Sequence, residues 1–433
     1  MTAYKQTELG LIPSDWEVVE LGNLIYSITS GVSVNSIDKL YAFSHNYHIL
    51  KTSCVFNGKF DKSFAKSILP NEVHRAKNTV KQDCIIVSRM NTPALVGEIG
   101  YVEQDCPNTF LPDRLWQVSF KEKLLNTKFI SFLLSYTPIS TQLKEKATGT
   151  SNSMKNISKD SFSSLIITIP KSKPEQTAIA TALSDTDALL AELEKLLAKK
   201  QAIKTATMQQ LLTGKTRLPE FAHRADGTPK GSLKTEWGDI PEDWEVVALG
   251  DVGNIITGST PSTIKSEFWN GDIAWITPTD ISECKDIYYS ERQITEEGLK
   301  SIRELPANTL LVTCIASIGK NAILRNRGSC NQQINAVIPN NNFNVDFLYY
   351  FFENKKPELK SLAGITATPI ISKALFSTFL IFAPDKLEQI AIAQILGDMD
   401  NEINALQARI EKLREIKQGM MQNLLTGKIR LLF

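Results

Sequence analysis

The chain has 433 residues, 42% of them hydrophobic and 22% charged, which is enough apolar material for two or three cores and argues against wholesale disorder. Its 48 Lys and Arg face 47 Asp and Glu, a net charge of +1. That balance excludes a histone-like or tail-driven polyanion binder but leaves room for a local basic face. The opening MTAYKQTELG lacks the apolar stretch of a leader peptide. Apolar runs such as 84–87 and 310–312 are far too short to span a bilayer. A cytoplasmic chain without membrane attachment is therefore expected. The six Cys, at 54, 84, 106, 284, 314 and 330, form no CxxC and read as reduced thiols.

The first segment, 7–22, reads TELGLIPSDWEVVELG, and it returns at 235–250 as TEWGDIPEDWEVVALG, identical at twelve of sixteen positions. Strand-like runs follow at 84–87 and 165–168, with a helical, amphipathic run at 129–136. Between Lys39 and Arg89 nine basic residues face three acidic ones. Lys51, Arg75, Lys77, Arg89 and Asn91 are candidates there for phosphate or base contact, as are Ser151, Asn152 and Lys155 in the stretch GTSNSMKN.

A long helix then starts at Pro174, a residue suited to a first turn, with Glu175 complementing the helix dipole. Its seam is Ile179, Leu183, Thr186, Leu190, Leu193 and Leu197, and Gly214 stands where a helix-ending glycine belongs. A connector rich in Gly and Pro leads into the second half. There the strand-like runs are 309–313 and 379–382, with a helical, amphipathic run at 347–352. Residues 232–386 carry 14 basic and 19 acidic residues, so the basic excess is local: Lys320, Arg325 and Arg327, followed by Asn331, Gln332 and Gln333. Arg, Asn and Gln are the side chains that pair bidentately with guanine or adenine.

The second long helix carries Ile395, Met399, Ile403, Leu406, Ile410 and Leu413 at heptad spacing, interrupted by Lys417, and ends at Gly427. EQTAIATALSDTDALL from Glu175 matches EQIAIAQILGDMDNEI from Glu388, and LLTGKTRL matches LLTGKIRL at seven of eight positions. A repeat of more than 200 residues is a duplicated domain. The expected architecture is mixed α/β: a globular domain over 1–170, a helix over 171–216, a linker over 217–231, a second globular domain over 232–384 and a helix over 385–433. Each helix would run about 38 residues, roughly 57 Å. The two are expected to pair as an intramolecular antiparallel coiled coil, with the globular domains at opposite ends and a pseudo-twofold internal repeat.

No catalytic constellation accompanies this organisation. GKT at 214–216 lacks the upstream glycine of a phosphate-binding loop, since position 209 is Gln. There is no Gly-x-Gly and no nucleophile elbow, and His45 and His48 have no partner at metal-ligand spacing, which makes them surface or DNA-facing side chains. A nuclease with unrecognised carboxylates and a coiled-coil scaffold that binds only protein are the competing classes.

Taken in order, the motifs resemble the specificity subunit of type I restriction–modification systems. They are the doubled IPxDWEVVxLG, then TGSTPS at 257–262 continued by EFWNGDIAWITPTDI, then PANTLLVTCIASIGKNAIL with NQQ at 331–333, and the doubled EQxAIAxxL and LLTGKxRL. The resemblance spans essentially the whole chain and brings Thr260 and Ser262 into the candidate DNA-contacting set. The first half departs from it with Gly31-Val-Ser-Val in place of Gly-Ser-Thr-Pro.

The resemblance implies two target recognition domains, each reading one half of a split double-stranded DNA target. It implies that the helices space them and dock two methyltransferase subunits, and that restriction and translocase subunits join the assembly. S-adenosylmethionine, ATP and Mg would sit on those partners, with no cofactor, metal or catalytic residue on this chain. Half-sites read from one face of DNA lie about 34 Å apart, within reach of such helices. Because the two interiors differ, the target is expected to be asymmetric. Specificity subunits of other methyltransferase-linked defence systems fit the same motifs.

Overall fold

The structure, a computed structural model, describes residues 3–431 except 45, 124, 152, 237, 282, 283 and 364–368, and the side chains of 150 and 151 also lie outside the description. The chain divides into two compact units, Met1–Glu194 with Ala408–Phe433, and Lys195–Gln407. The long helices are Lys173–Leu211 and Lys386–Leu424, 39 residues each. Each unit thus takes the first stretch of one helix and the last stretch of the other.

The first unit is built on a six-stranded sheet in the order Ile25–Ser30, Leu115–Phe120, Cys84–Ser88, Ile99–Val102, Gly58–Phe60, Val55–Phe56. The helix Thr127–Ser135 covers it, capped by Asn126, whose side chain accepts from the Phe129 N–H at 2.9 Å. The second unit repeats the plan with Gly253–Thr257, Ile334–Pro339, Thr309–Thr313, Asn321–Leu324 and Asp286–Ile287. Its covering helix is Val345–Asn354, capped by Asn344 on Phe347 at 2.9 Å. The sequence reads this helix as amphipathic, yet Val345 and every residue from Phe347 to Phe352 are buried. A helix apolar all round is an interior helix, sealed between sheet and long helices.

The doubled motifs meet in space within each unit. In the first, the Arg430 guanidinium binds both oxygens of Glu175 and both of Asp15, the latter at 2.9 and 2.8 Å. Glu175 is 1% exposed and also accepts from the Trp16 indole at 3.3 Å. The second unit repeats this latch: Arg217 donates to Glu388 at 2.8 and 2.7 Å and to Asp243 at 2.6 and 3.0 Å. Burial pushes the Asp243 carboxyl up, but Arg217 and Lys230 outweigh it and hold it at about 2. Gly214 and Gly427 adopt φ of 69° and 71°, and a Cβ on Gly427 would lie 2.5 Å from Pro13. Only glycine turns the chain there and lets the IPxDW segment approach.

In the first unit the two helix segments run antiparallel, with Lys417 on Asp187 at 2.7 Å, Arg414 on Glu194 at 2.6 Å and the Thr186 hydroxyl on the Met420 sulfur at 3.5 Å. The second unit has the equivalent pair of Lys204 with Asp400, and Lys200 bonds Glu402 at 2.6 Å. Lys417, an apparent break in the heptads, is therefore half of a repeated ion pair.

Leu183, Leu190, Leu193, Ile403 and Ile410 are buried, as the heptads require. Leu197, Ile395, Met399, Leu406 and Leu413 are only half-buried. The core positions at the start of the second helix are Ile392 and Leu396, the counterparts of Ile179 and Leu183. Ile395 and Met399 pack at the edge of that core, half-covered.

Candidate nucleic-acid interface

In the second unit, the strand Gly253–Thr257 runs into the TGSTPS loop, which is fastened from beneath. The Trp275 indole donates to the Ser259 carbonyl at 2.9 Å and the Trp269 indole to the Ser262 carbonyl at 3.0 Å. The Gly258 and Ser259 N–H groups donate to the carbonyls of Ile334 (3.0 Å) and Cys330 (2.8 Å). A Cβ on Gly258 would stand 2.1 Å from the Asn331 carbonyl oxygen, so this approach needs glycine. Gly31, after the matching strand of the first unit, meets the Leu111 carbonyl in the same manner.

That closeness brings together two candidates 72 residues apart: the Thr260 hydroxyl donates to Gln332 Oε1 at 2.7 Å. Both are exposed, as is Ser262. Gln333 is turned away. It is half-buried, and its Oε1 accepts from Asn331 at 3.0 Å.

The basic residues singled out in this half are mostly committed elsewhere. Arg325 bonds Asp286 and Asp346, each at 2.6 Å, and Asn308 at 2.9 Å. Burial pulls its pKa down, but the two carboxylates outweigh that and raise it. Arg327 pairs with Glu296 and lies 3.9 Å from Glu304. Lys320 is exposed and lines a separate cleft of about 980 Å³ with Asn321, Tyr349 and Asp400.

The cations beside the loop are ones that sequence reasoning missed. Arg303 donates to the Thr257 carbonyl at 2.7 Å, and its N–H to the Ser259 hydroxyl at 3.2 Å. The Arg292 guanidinium lies 3.9 Å from the Trp269 ring centre and 5.1 Å from that of Trp275. Lys265 sits over Phe268 at 5.0 Å. A usable signal was present: Trp269 and Trp275 share parity in one strand, which marks two indoles on one face.

The candidates of the first unit do not form one patch. Asn91 and Lys155 are direct ladder partners in a three-stranded sheet with Thr148–Ser151, which carries Ser151. Lys155 donates to the Gly149 carbonyl at 2.9 Å. Asn152 lies outside the described residues. Arg89 Nε donates to the Asp113 carbonyl at 2.8 Å, and its guanidinium lies 5.8 Å from the Trp116 ring centre. Lys51 pairs with Asp38, and Arg75 with Glu72 at 2.6 Å. Lys77 is exposed. His48, expected at the surface or facing DNA, is 8% exposed and edge-on to Tyr41 at 5.3 Å. His45 lies outside the described residues.

Among the described residues no cluster of His, Cys, Asp and Glu has metal-site geometry, and no helix is long and apolar enough to cross a membrane.

Residues 13–205 and 241–417 match the family described as type I restriction modification DNA specificity domain. The chain is similar to the MjaIX specificity subunit of Methanocaldococcus jannaschii, 37% identical over 44% of this chain and 45% of that one. It is 26% identical to the HindI specificity subunit of Haemophilus influenzae, over 96% of this chain and all of that one. Among solved structures, the S subunit of a type I restriction–modification system from M. genitalium superposes with a TM-score of 0.58 at 16% identity, covering 94% of this chain and 96% of the other. A chain of a type I R-M system described for complex assembly and conformational transition gives 0.54 at 17% identity, covering 96% and 99%.

Proposed function

The chain belongs to the family of type I restriction–modification DNA specificity domains, with two copies of the domain, and from that premise we propose that it is the non-catalytic specificity subunit of a type I complex. Each domain reads one half of an asymmetric, bipartite duplex target. The long helices set the spacing and dock two methyltransferase subunits, and restriction and translocase subunits complete the assembly. S-adenosylmethionine, ATP and Mg belong to those partners, and the complex works in the cytoplasm.

One observation carries the reading: a constant frame bearing divergent loops. The Arg–Glu–Asp latch, the Lys–Asp helix pair and the central sheet occur in both units. After the equivalent strands, however, one unit presents Gly31-Val-Ser-Val and the other Gly-Ser-Thr-Pro. Reading two different half-sequences calls for divergence at such loops and constancy beneath them.

The test is co-expression with methyltransferase subunits, followed by sequencing of methylated sites. An interrupted motif with unlike halves is expected. An uninterrupted motif, a perfect palindrome, or turnover by the purified chain alone with Mg²⁺ and S-adenosylmethionine would overturn the reading.

A further inference from the structure

We propose that the Thr260–Gln332 pair reads one adenine in the half-site recognised by the second domain, an assignment that rests on the DNA-reading function above. A glutamine carboxamide offers one acceptor and one donor side by side. Adenine offers their complement in the major groove, the N6 amino group as donor and N7 as acceptor. The Thr260 hydroxyl donates to Gln332 Oε1 at 2.7 Å, which ties that end of the carboxamide to the loop. A second lone pair on Oε1 remains for the N6 amino group, and the amide protons remain for N7.

The platform is rigid where it needs to be. Two indoles hold the loop by its Ser259 and Ser262 carbonyls. Gly258 lets it press against the backbone beside Gln332. A side chain oriented before binding loses less rotamer freedom on the base edge. Of the other base-reading candidates in this unit, Gln333 is bound to Asn331, and the guanine-suited Arg325 and Arg327 are held by carboxylates. Arg303 braces the Thr257 carbonyl and Arg292 lies over the Trp269 ring that holds the loop, while Lys265 over Phe268 adds positive charge suited to the phosphate backbone.

The experiment uses the assembled methyltransferase complex and a randomised DNA library, reading methylation at every position of the target. With Gln332→Ala, discrimination at one A·T position of one half-site falls about ten- to a hundredfold, and the other half-site is unchanged. Thr260→Val relaxes the same position by about five- to tenfold, because the carboxamide loses its anchor. Gln332→Glu, an acceptor only, moves the preference at that position toward cytosine, whose N4 amino group it accepts from.

An unchanged spectrum for Gln332→Ala, relaxation in both halves, or relaxation at a position that is G·C in the parent complex would refute the pairing. If the parent complex showed no bipartite target, the underlying function would fail with it. An intact bipartite target with unaltered variants would refute this inference alone.

Discussion

Arg430→Ala tests how the end of the chain is tied to its beginning. Glu175 is 1% exposed, and Arg430 is the cation that neutralises it, bonding both carboxylate oxygens. Without the guanidinium, the remaining side-chain donor among the described residues is the Trp16 indole at 3.3 Å. Removing one side of a buried ion pair costs about 3–5 kcal/mol, because the other charge stays buried. Asp15, with a side chain 56% exposed, rehydrates and adds about 0–1 kcal/mol. Against a typical domain stability of about 5–15 kcal/mol this is a large fraction.

Hydrogen exchange suits the measurement, since it reads local opening without assuming that a two-unit chain unfolds in one step. Protection along 16–20 and 175–180 should fall by roughly a hundredfold to several thousandfold, at about 1.4 kcal/mol per decade. Combining Arg430→Met with Glu175→Gln should restore much of the loss, as no charge is then left buried. A loss under about tenfold, or a double variant worse than the single one, would refute the claim that Glu175 depends on Arg430.

Two glycines of the second helix region should respond in opposite directions in thermal unfolding. Gly427→Ala, at φ 71° and against Pro13, should destabilise by about 1–3 kcal/mol. Gly419→Ala, in the helix with open space at its Cβ, should stabilise by about 0.5–1 kcal/mol. Leu193→Asp places a charge at a buried seam position and should abolish assembly with methyltransferase subunits by size-exclusion chromatography, while Leu406→Asp, half-buried, should weaken it less. Asp243 has a folded-state pKa of about 2 against an ordinary 3.8, so it adds stability above about pH 4 that is lost as pH falls toward 2. Asp243→Asn should flatten that stretch of the unfolding midpoint plotted against pH.

Most elements were legible locally. The expected strand 309–313 is Thr309–Thr313, and the runs at 129–136 and 347–352 correspond to helices Thr127–Ser135 and Val345–Asn354. Pro174, Gly214 and Gly427 mark the helix ends because their backbone preferences are intrinsic to the residue. The candidate site was only half legible. Thr260, Ser262 and Gln332 lie together, while Arg325, Arg327, Arg89, Lys51 and Arg75 are bonded to protein groups. A count of basic residues cannot separate a cation aimed at solvent from one aimed at Asp286 or Asp346.

The sequence by itself determined the duplication, the two long helices and the motifs that recur at their ends, since these rest on identity, periodicity and local backbone preference. The tertiary structure decided what those motifs do. It joined Arg430 to Glu175 and Arg217 to Glu388, turned Lys417 from a heptad fault into the partner of Asp187, and set Gln332 against Thr260. These contacts join residues 72 to 255 positions apart. No spacing rule reaches that far. The path of the sheet returns the chain to itself, and the burial of each charge then fixes whether it serves the fold or remains free for a ligand.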